Sequence, residues 1–122
     1  MDPNLEQNYN TAKDIGTQFL RAFFSPGCNI AQFYGNDSVL NLESEVYFGQ
    51  QKIVEKLMSF KLNVNPSNYE FQPSNNGVLM YVSGTCVIEG ETRQLPFTRV
   101  IFLAAQGQSY YIKNDIYKIT LV

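Results

Sequence analysis

The sequence predicts an α+β fold, helices first and a mainly antiparallel sheet after them, and three observations carry that expectation. Apolar residues recur at threes and fours over residues 5–24 and again over 50–60, the spacing of amphipathic helices. Beyond Pro66 the pattern turns to alternating, β-branched and aromatic segments separated by short turn sequences, the mark of a meander. The last of these segments carries apolar residues on both parities, so both of its faces are expected to be covered.

Leu5, Tyr9, Ala12, Ile15, Gly16, Phe19, Leu20 and Phe23 form the stripe of the first helix, with Glu6, Lys13, Asp14 and Arg21 between them. Ser25-Pro26-Gly27 ends it, because proline disfavours helical geometry in the residue before it and glycine permits the turn. A short helix is expected from about Asn29 to Tyr34, then a turn at Gly35-Asn36-Asp37. Residues 38–43 and 46–48 read as a hairpin around Ser44-Glu45, closed by Gly49, and Gln50–Phe60 as a helix. Strands follow over 68–72, 78–89, 93–105 and 108–122, with a bend or bulge expected at Gly84. The chain of 122 residues is read as a single domain, 1–122, because half that length buries too little surface. The two-sided last strand predicts a homodimer through the open sheet face.

Composition excludes several function classes. Hydrophobic residues make up 44% of the chain, enough for a packed core. A formal charge of -2 with nine scattered Lys and Arg argues against nucleic-acid binding. No apolar run is long enough to span a bilayer, and the amino terminus lacks a secretory pattern, so a cytosolic or nuclear location is expected. With no histidine and only Cys28 and Cys86, far apart, neither a metal site nor a cofactor is expected, and both thiols are read as reduced.

Two longer motifs add to this. Gly49-Gln50-Gln51-Lys52-Ile53-Val54-Glu55-Lys56-Leu57 and Ser109-Tyr110-Tyr111-Ile112-Lys113-Asn114-Asp115-Ile116-Tyr117 occur in order, with Phe71-Gln72-Pro73 between them. Over nearly its whole length the chain resembles the nuclear transport factor 2 family. The resemblance implies a strongly curved sheet wrapped around a long amino-terminal helix, a cavity at one end, and dimerisation through the sheet. It also implies a carrier rather than an enzyme: one that binds the GTPase Ran in its GDP form and the Phe-Gly repeats of nucleoporins, in the cytoplasm, in the nucleus and at the nuclear pore.

In the family an aromatic side chain of Ran enters the cavity and acidic residues at the rim meet its basic neighbours. Carried over, that gives Glu43, Glu89 and Glu91 as the rim, and Leu42, Phe60, Leu62, Ile116 and Tyr117 as the lining, Leu42 standing where some members have tryptophan. For the Phe-Gly contact Asn8 aligns with the family's aromatic and Tyr9 is its neighbour; Tyr9 is taken as the candidate. The chain departs from the family in lacking a histidine near the cavity mouth and in a shorter stretch from Lys61 to Ser67.

Two rival functions share the fold. A small-molecule isomerase or dehydratase requires a buried acid or base pair, for which Asp115 with Tyr111 or Tyr117 is the candidate. A dimerisation module for mRNA export or scaffold assembly is the other, and the chain's length as a lone domain favours the free carrier over it.

Overall fold

The computed structural model describes residues 4–120. Helix α1 runs Leu5–Phe23 and buries Ala12, Gly16, Leu20 and Phe23, one residue per turn along a single face. Gly16 is required on that face: a Cβ there would collide with the Phe71 ring and sit 3.2 Å from Met80 Sδ, so glycine is what lets the helix lie on the sheet. The expected second helix is a single 3-10 turn, Ile30–Phe33, capped by the Asn29 side chain, which accepts from Ala31 N at 3.1 Å.

Strand β1, Tyr34–Leu42, and β2, Glu45–Phe48, form the hairpin, and α2, Gln50–Phe60, follows Gly49 (φ +88°). Then come β3, Leu62–Ser74, β4, Gly77–Ile88, β5, Leu95–Gln106, and β6, Ser109–Ile119. The six strands make one curved sheet in the order β2-β1-β6-β5-β4-β3. All neighbours are antiparallel except β1 and β6, which run parallel and join hairpin to meander. The β3–β4 turn uses Asn75 and Asn76 at φ +46° and +59°, the left-handed pair that matches the twist of a tight hairpin.

Three irregularities bend the strands. Between Tyr34 and Val39 the β1 register slips against β6, which is where a turn was expected at Gly35–Asp37. Lys113 is an extra residue in β6, between pairs Leu103–Ile112 and Phe102–Asn114. The third irregularity lies opposite Gly84 rather than on it: Ser67 is the unpaired residue, and a Cβ on Gly84 would strike Asn65 O and Pro66 Cα. Strand β3 also begins at Leu62, six residues before the start expected at Asn68, because an edge strand tolerates Pro66.

The concave face holds the core, including Leu40, Ile53, Met80, Phe97, Ile101 and Ile112, all fully buried. On the convex face the register aligns Tyr81, Val100, Ile116, Asn41 and Val46 in one cross-strand row, and Leu79, Phe102, Asn114, Val39 and Phe48 in the next. Among these, Ile116 is 53% exposed and Phe48 67%, so the convex face is a broad apolar surface.

Candidate functional site

A cavity of about 150 Å³ opens where the end of α1 meets α2 and the sheet. Phe23 comes to it from α1 and Phe24 from that helix's cap, Ile30 from the 3-10 turn, and Leu57 and Phe60 from α2. The sheet contributes Leu42 from β1, Leu62 and Val64 from β3, Arg99 from β5 and Tyr117 from β6. Strand alternation accounts for the β3 pair, since Leu62 and Val64 face inward while Asn63 and Asn65 face solvent.

Four of the five expected lining residues, Leu42, Phe60, Leu62 and Tyr117, meet in this cavity. Ile116 does not. It neighbours Tyr117 in an extended strand and so points to the opposite, convex face, beside Leu79, Val100 and Phe102.

The acidic residues stand around the same end. Glu43 directly follows Leu42 and adopts φ +57° in the two-residue β1–β2 turn. Its N–H donates to Tyr117 O (3.3 Å) and its Oε1 accepts from Ile119 N, so β6 holds the residue at both ends. Glu89 follows β4, donates through its N–H to Lys61 O (3.2 Å), and makes an exposed ion pair with Lys61 at 3.8 Å. Water screens that pair, which adds little to stability. Glu91 is exposed in the same loop, its N–H donating to Ile88 O at 2.9 Å.

Behind the cavity lies a polar network that the sequence reading did not assemble. Arg99 donates from Nε to Asp115 Oδ1 (2.9 Å) and from Nη2 to Asp115 Oδ2 (2.8 Å) and Tyr34 Oη (2.9 Å). Tyr34 Oη in turn donates to Asp115 Oδ2 at 2.7 Å. Arg99 is 3% exposed and Asp115 1%. The guanidinium also packs over the rings of Phe23 (5.0 Å) and Tyr117 (4.4 Å). Burial works against the charge of Arg99, but the Asp115 carboxylate against it holds the guanidinium above its ordinary value. Burial, reinforced by Asp115, likewise pushes the Tyr34 phenol well above its own. The signal in the sequence was Arg99 itself, a cation at the inward parity of β5 between Phe97 and Ile101.

Neither acid–base pair considered above is hydrogen-bonded together here. Asp115 is committed to Arg99 and Tyr34, while Tyr111 Oη donates to Asp37 Oδ2 (2.9 Å) at the surface. Tyr117 has no hydrogen bond to Asp115. Among the described residues there is no group of three or more His, Cys, Asp or Glu placed to hold a metal ion, and no helix long and apolar enough to cross a membrane. Cys28 and Cys86 are unbridged, and burial pushes the Cys86 thiol up.

Tyr9 is 42% exposed on α1. Its neighbour Asn8 lines a separate groove of about 370 Å³ with Ile15, Pro73, Asn75, Val78 and Tyr110. A larger concavity of about 460 Å³, between α1 and β3, contains none of the candidate residues.

The arrangement thus offers an apolar hollow with carboxylates beside it and a buried, self-neutralising ion pair beneath. Comparison with known proteins agrees with that architecture. The family described as nuclear transport factor 2 (NTF2) domain matches over residues 15–119. Nuclear transport factor 2 of Saccharomyces cerevisiae is 31% identical over 118 residues, covering 92% of this chain and 94% of that protein. The structure of nuclear transport factor 2 from Cryptosporidium parvum superposes with a TM-score of 0.74 at 26% identity, covering 98% of each chain. A ketosteroid isomerase-like protein from Erwinia carotovora, 17% identical with a TM-score of 0.62 over all of both chains, shares the fold alone. By sequence and by structure, the chain belongs to the nuclear transport factor 2 family.

Proposed function

We propose that this protein is a nuclear import carrier for the GDP-bound form of Ran, acting as a homodimer without catalysis. An aromatic side chain of Ran enters the cavity walled by Leu42, Phe60, Leu62 and Tyr117. Glu43, Glu89 and Glu91 meet the basic residues that flank that ring. The hydrophobic anchor supplies affinity, and the carboxylates supply steering and orientation.

One observation carries this reading: two of the three acidic residues, Glu43 and Glu89, adjoin the cavity wall. Glu43 is next in sequence to Leu42, and Glu89 is bonded to the backbone of Lys61, next to Leu62. Ile116 is assigned to the dimer surface, with Tyr81, Val100, Leu79 and Phe48, since covering that convex face requires a second apolar surface of similar size. Exposed Tyr9 on α1 is assigned to the Phe-Gly repeats, whose weak, fast-exchanging contacts suit passage through the pore of a carrier moving between cytoplasm and nucleus.

Capture of purified Ran on beads tests the carrier reading. Glu43→Gln is the informative variant, because the amide keeps an acceptor for Ile119 N while removing the charge. Wild type should retain GDP-loaded but not GTP-loaded Ran. Glu43→Gln and the double variant Glu89→Gln, Glu91→Gln should each lower capture, by about 2–5 kcal/mol where the lost pair is desolvated and less where it is exposed. Equal capture of both nucleotide forms, or by all variants, overturns the proposal.

A further inference from the structure

The larger concavity between α1 and β3, about 460 Å³, takes no part in the carrier reading, and its charged lining is of one sign. Leu20, Phe24, Tyr69 and Phe71 form its apolar part, with Lys13 and Arg21 beside them. No carboxylate lines it, although the chain holds 11 acidic residues against 9 Lys and Arg. Asp14 follows Lys13 but is not part of the lining, and Glu70, between Tyr69 and Phe71 in an extended strand, points to the convex face. Neither Lys13 nor Arg21 makes an ion pair or a side-chain hydrogen bond with a described residue, whereas Lys61 is paired with Glu89 and Arg99 with Asp115.

The spacing of the two cations says what they can meet. They are eight residues apart on α1, which at the helical rise is about 12 Å. Four residues of extended chain span about 13 Å and place residues i, i+2 and i+4 on one face. A segment with carboxylates at i and i+4 therefore reaches both cations, and the side chain at i+2 falls over the apolar floor between them. A free small acid with one carboxylate meets only one of the two. The groove has about three times the roughly 150 Å³ that admits benzene, room for an aromatic ring with main chain on either side. Tyr69, 43% exposed, and half-buried Phe24 offer ring surface to cover. Because β3 is an edge strand, no further strand closes the outer side of the groove against a passing chain.

We propose that the α1–β3 groove docks a short extended segment of a protein partner, an aromatic residue with Asp or Glu two positions before and two positions after it. The ring rests on Leu20 and Phe71 against Phe24 and Tyr69, and the carboxylates pair with Lys13 and Arg21. The ring supplies most of the affinity, while the exposed ion pairs select the sequence and weaken with salt. The proposal stands apart from the carrier reading, since Phe24 alone is common to this groove and the hollow beside Glu43.

The probes are end-blocked peptides titrated into the full chain and followed by NMR: Gly-Asp-Ser-Phe-Ser-Asp-Gly, the same peptide with Lys for both Asp, and the same with Ala for Phe. The first should shift Lys13, Arg21, Phe24 and Tyr69, leave Ile116 unmoved, and bind at least about tenfold more tightly than either control. In the charge-reversed double variant Lys13→Glu, Arg21→Glu, both at exposed positions, the preference should invert in favour of the Lys peptide. Equal affinity of wild type for the Asp and Lys peptides, or shifts centred on Leu42 and Tyr117, overturns the proposal whether or not the double variant folds. Phenylacetate bound as tightly as the Asp peptide overturns it as well, in favour of a site for small carboxylates.

Discussion

Asp115→Asn separates a structural from a chemical role for the carboxylate that lies beneath the cavity. Asparagine keeps the volume and one acceptor, but it removes the negative charge facing Arg99 and turns an amide N–H₂ toward guanidinium donors. Arg99, 3% exposed, is then a stranded cation. Breaking a buried pair in this way costs about 3–5 kcal/mol, a large share of the 5–15 kcal/mol that holds a domain together. Unfolding entropy near 2.1 cal/mol/K per residue gives about 0.26 kcal/mol/K for 122 residues, so the midpoint should fall by about 12–19 °C. Differential scanning calorimetry reads the shift. Adding Arg99→Met should recover part of it, because the uncompensated cation is gone. A fall of less than about 3 °C, or a double variant less stable than Asp115→Asn, would refute the claim that the pair is buried and mutually dependent.

Other consequences follow from single contacts. Gly16→Ala should lose about 1–2 kcal/mol in urea denaturation, since the collision with Phe71 outweighs the roughly 1 kcal/mol helix-propensity gain; a stabilised variant would contradict the close packing of α1 on β3. If the proposed homodimer forms through the convex face, wild type should scatter light as a dimer and Ile116→Arg as a monomer, since the variant places a charge at the middle of that apolar face; a monomeric wild type would refute the dimer, and a dimeric variant would move the interface elsewhere. At high pH the sign is fixed by the raised phenols. Tyr117 titrates near 10 when unfolded and about 12 when folded, so its contribution is full below pH 10 and is lost as pH rises toward 12. The fall amounts to about 2.7 kcal/mol, and Tyr117→Phe should be correspondingly less sensitive over that window in alkaline unfolding curves.

Much of the fold could be read from periodicity because the helices and meander are local patterns. α1 and α2 fall where Leu20, Phe23, Ile53 and Leu57 recur, and the Asn-rich and Gly-rich turns are where the strands reverse. The start of β3 was hidden by Pro66, although Leu62 and Val64 already alternated with asparagines. The parallel pairing of β1 with β6 joins segments some 75 residues apart in sequence, and no local pattern encodes it. At the cavity, period two already forbade Ile116 and Tyr117 from sharing a wall, so one of them had to face outward. Arg99 could have been suspected from its inward parity. Its partners Asp115 and Tyr34 could not, because their meeting depends on which strands become neighbours.

The central claim is that a partner's ring occupies the hollow beside Glu43. Titrating GDP-loaded Ran into the isotope-labelled protein and mapping the NMR shift changes tests it most directly. The largest changes should fall on Leu42, Glu43, Phe60, Leu62, Glu89 and Tyr117, with Leu79, Val100 and Ile116 on the convex face unmoved. Changes centred on the convex face or on the α1–β3 groove, or none at saturating Ran, would contradict it.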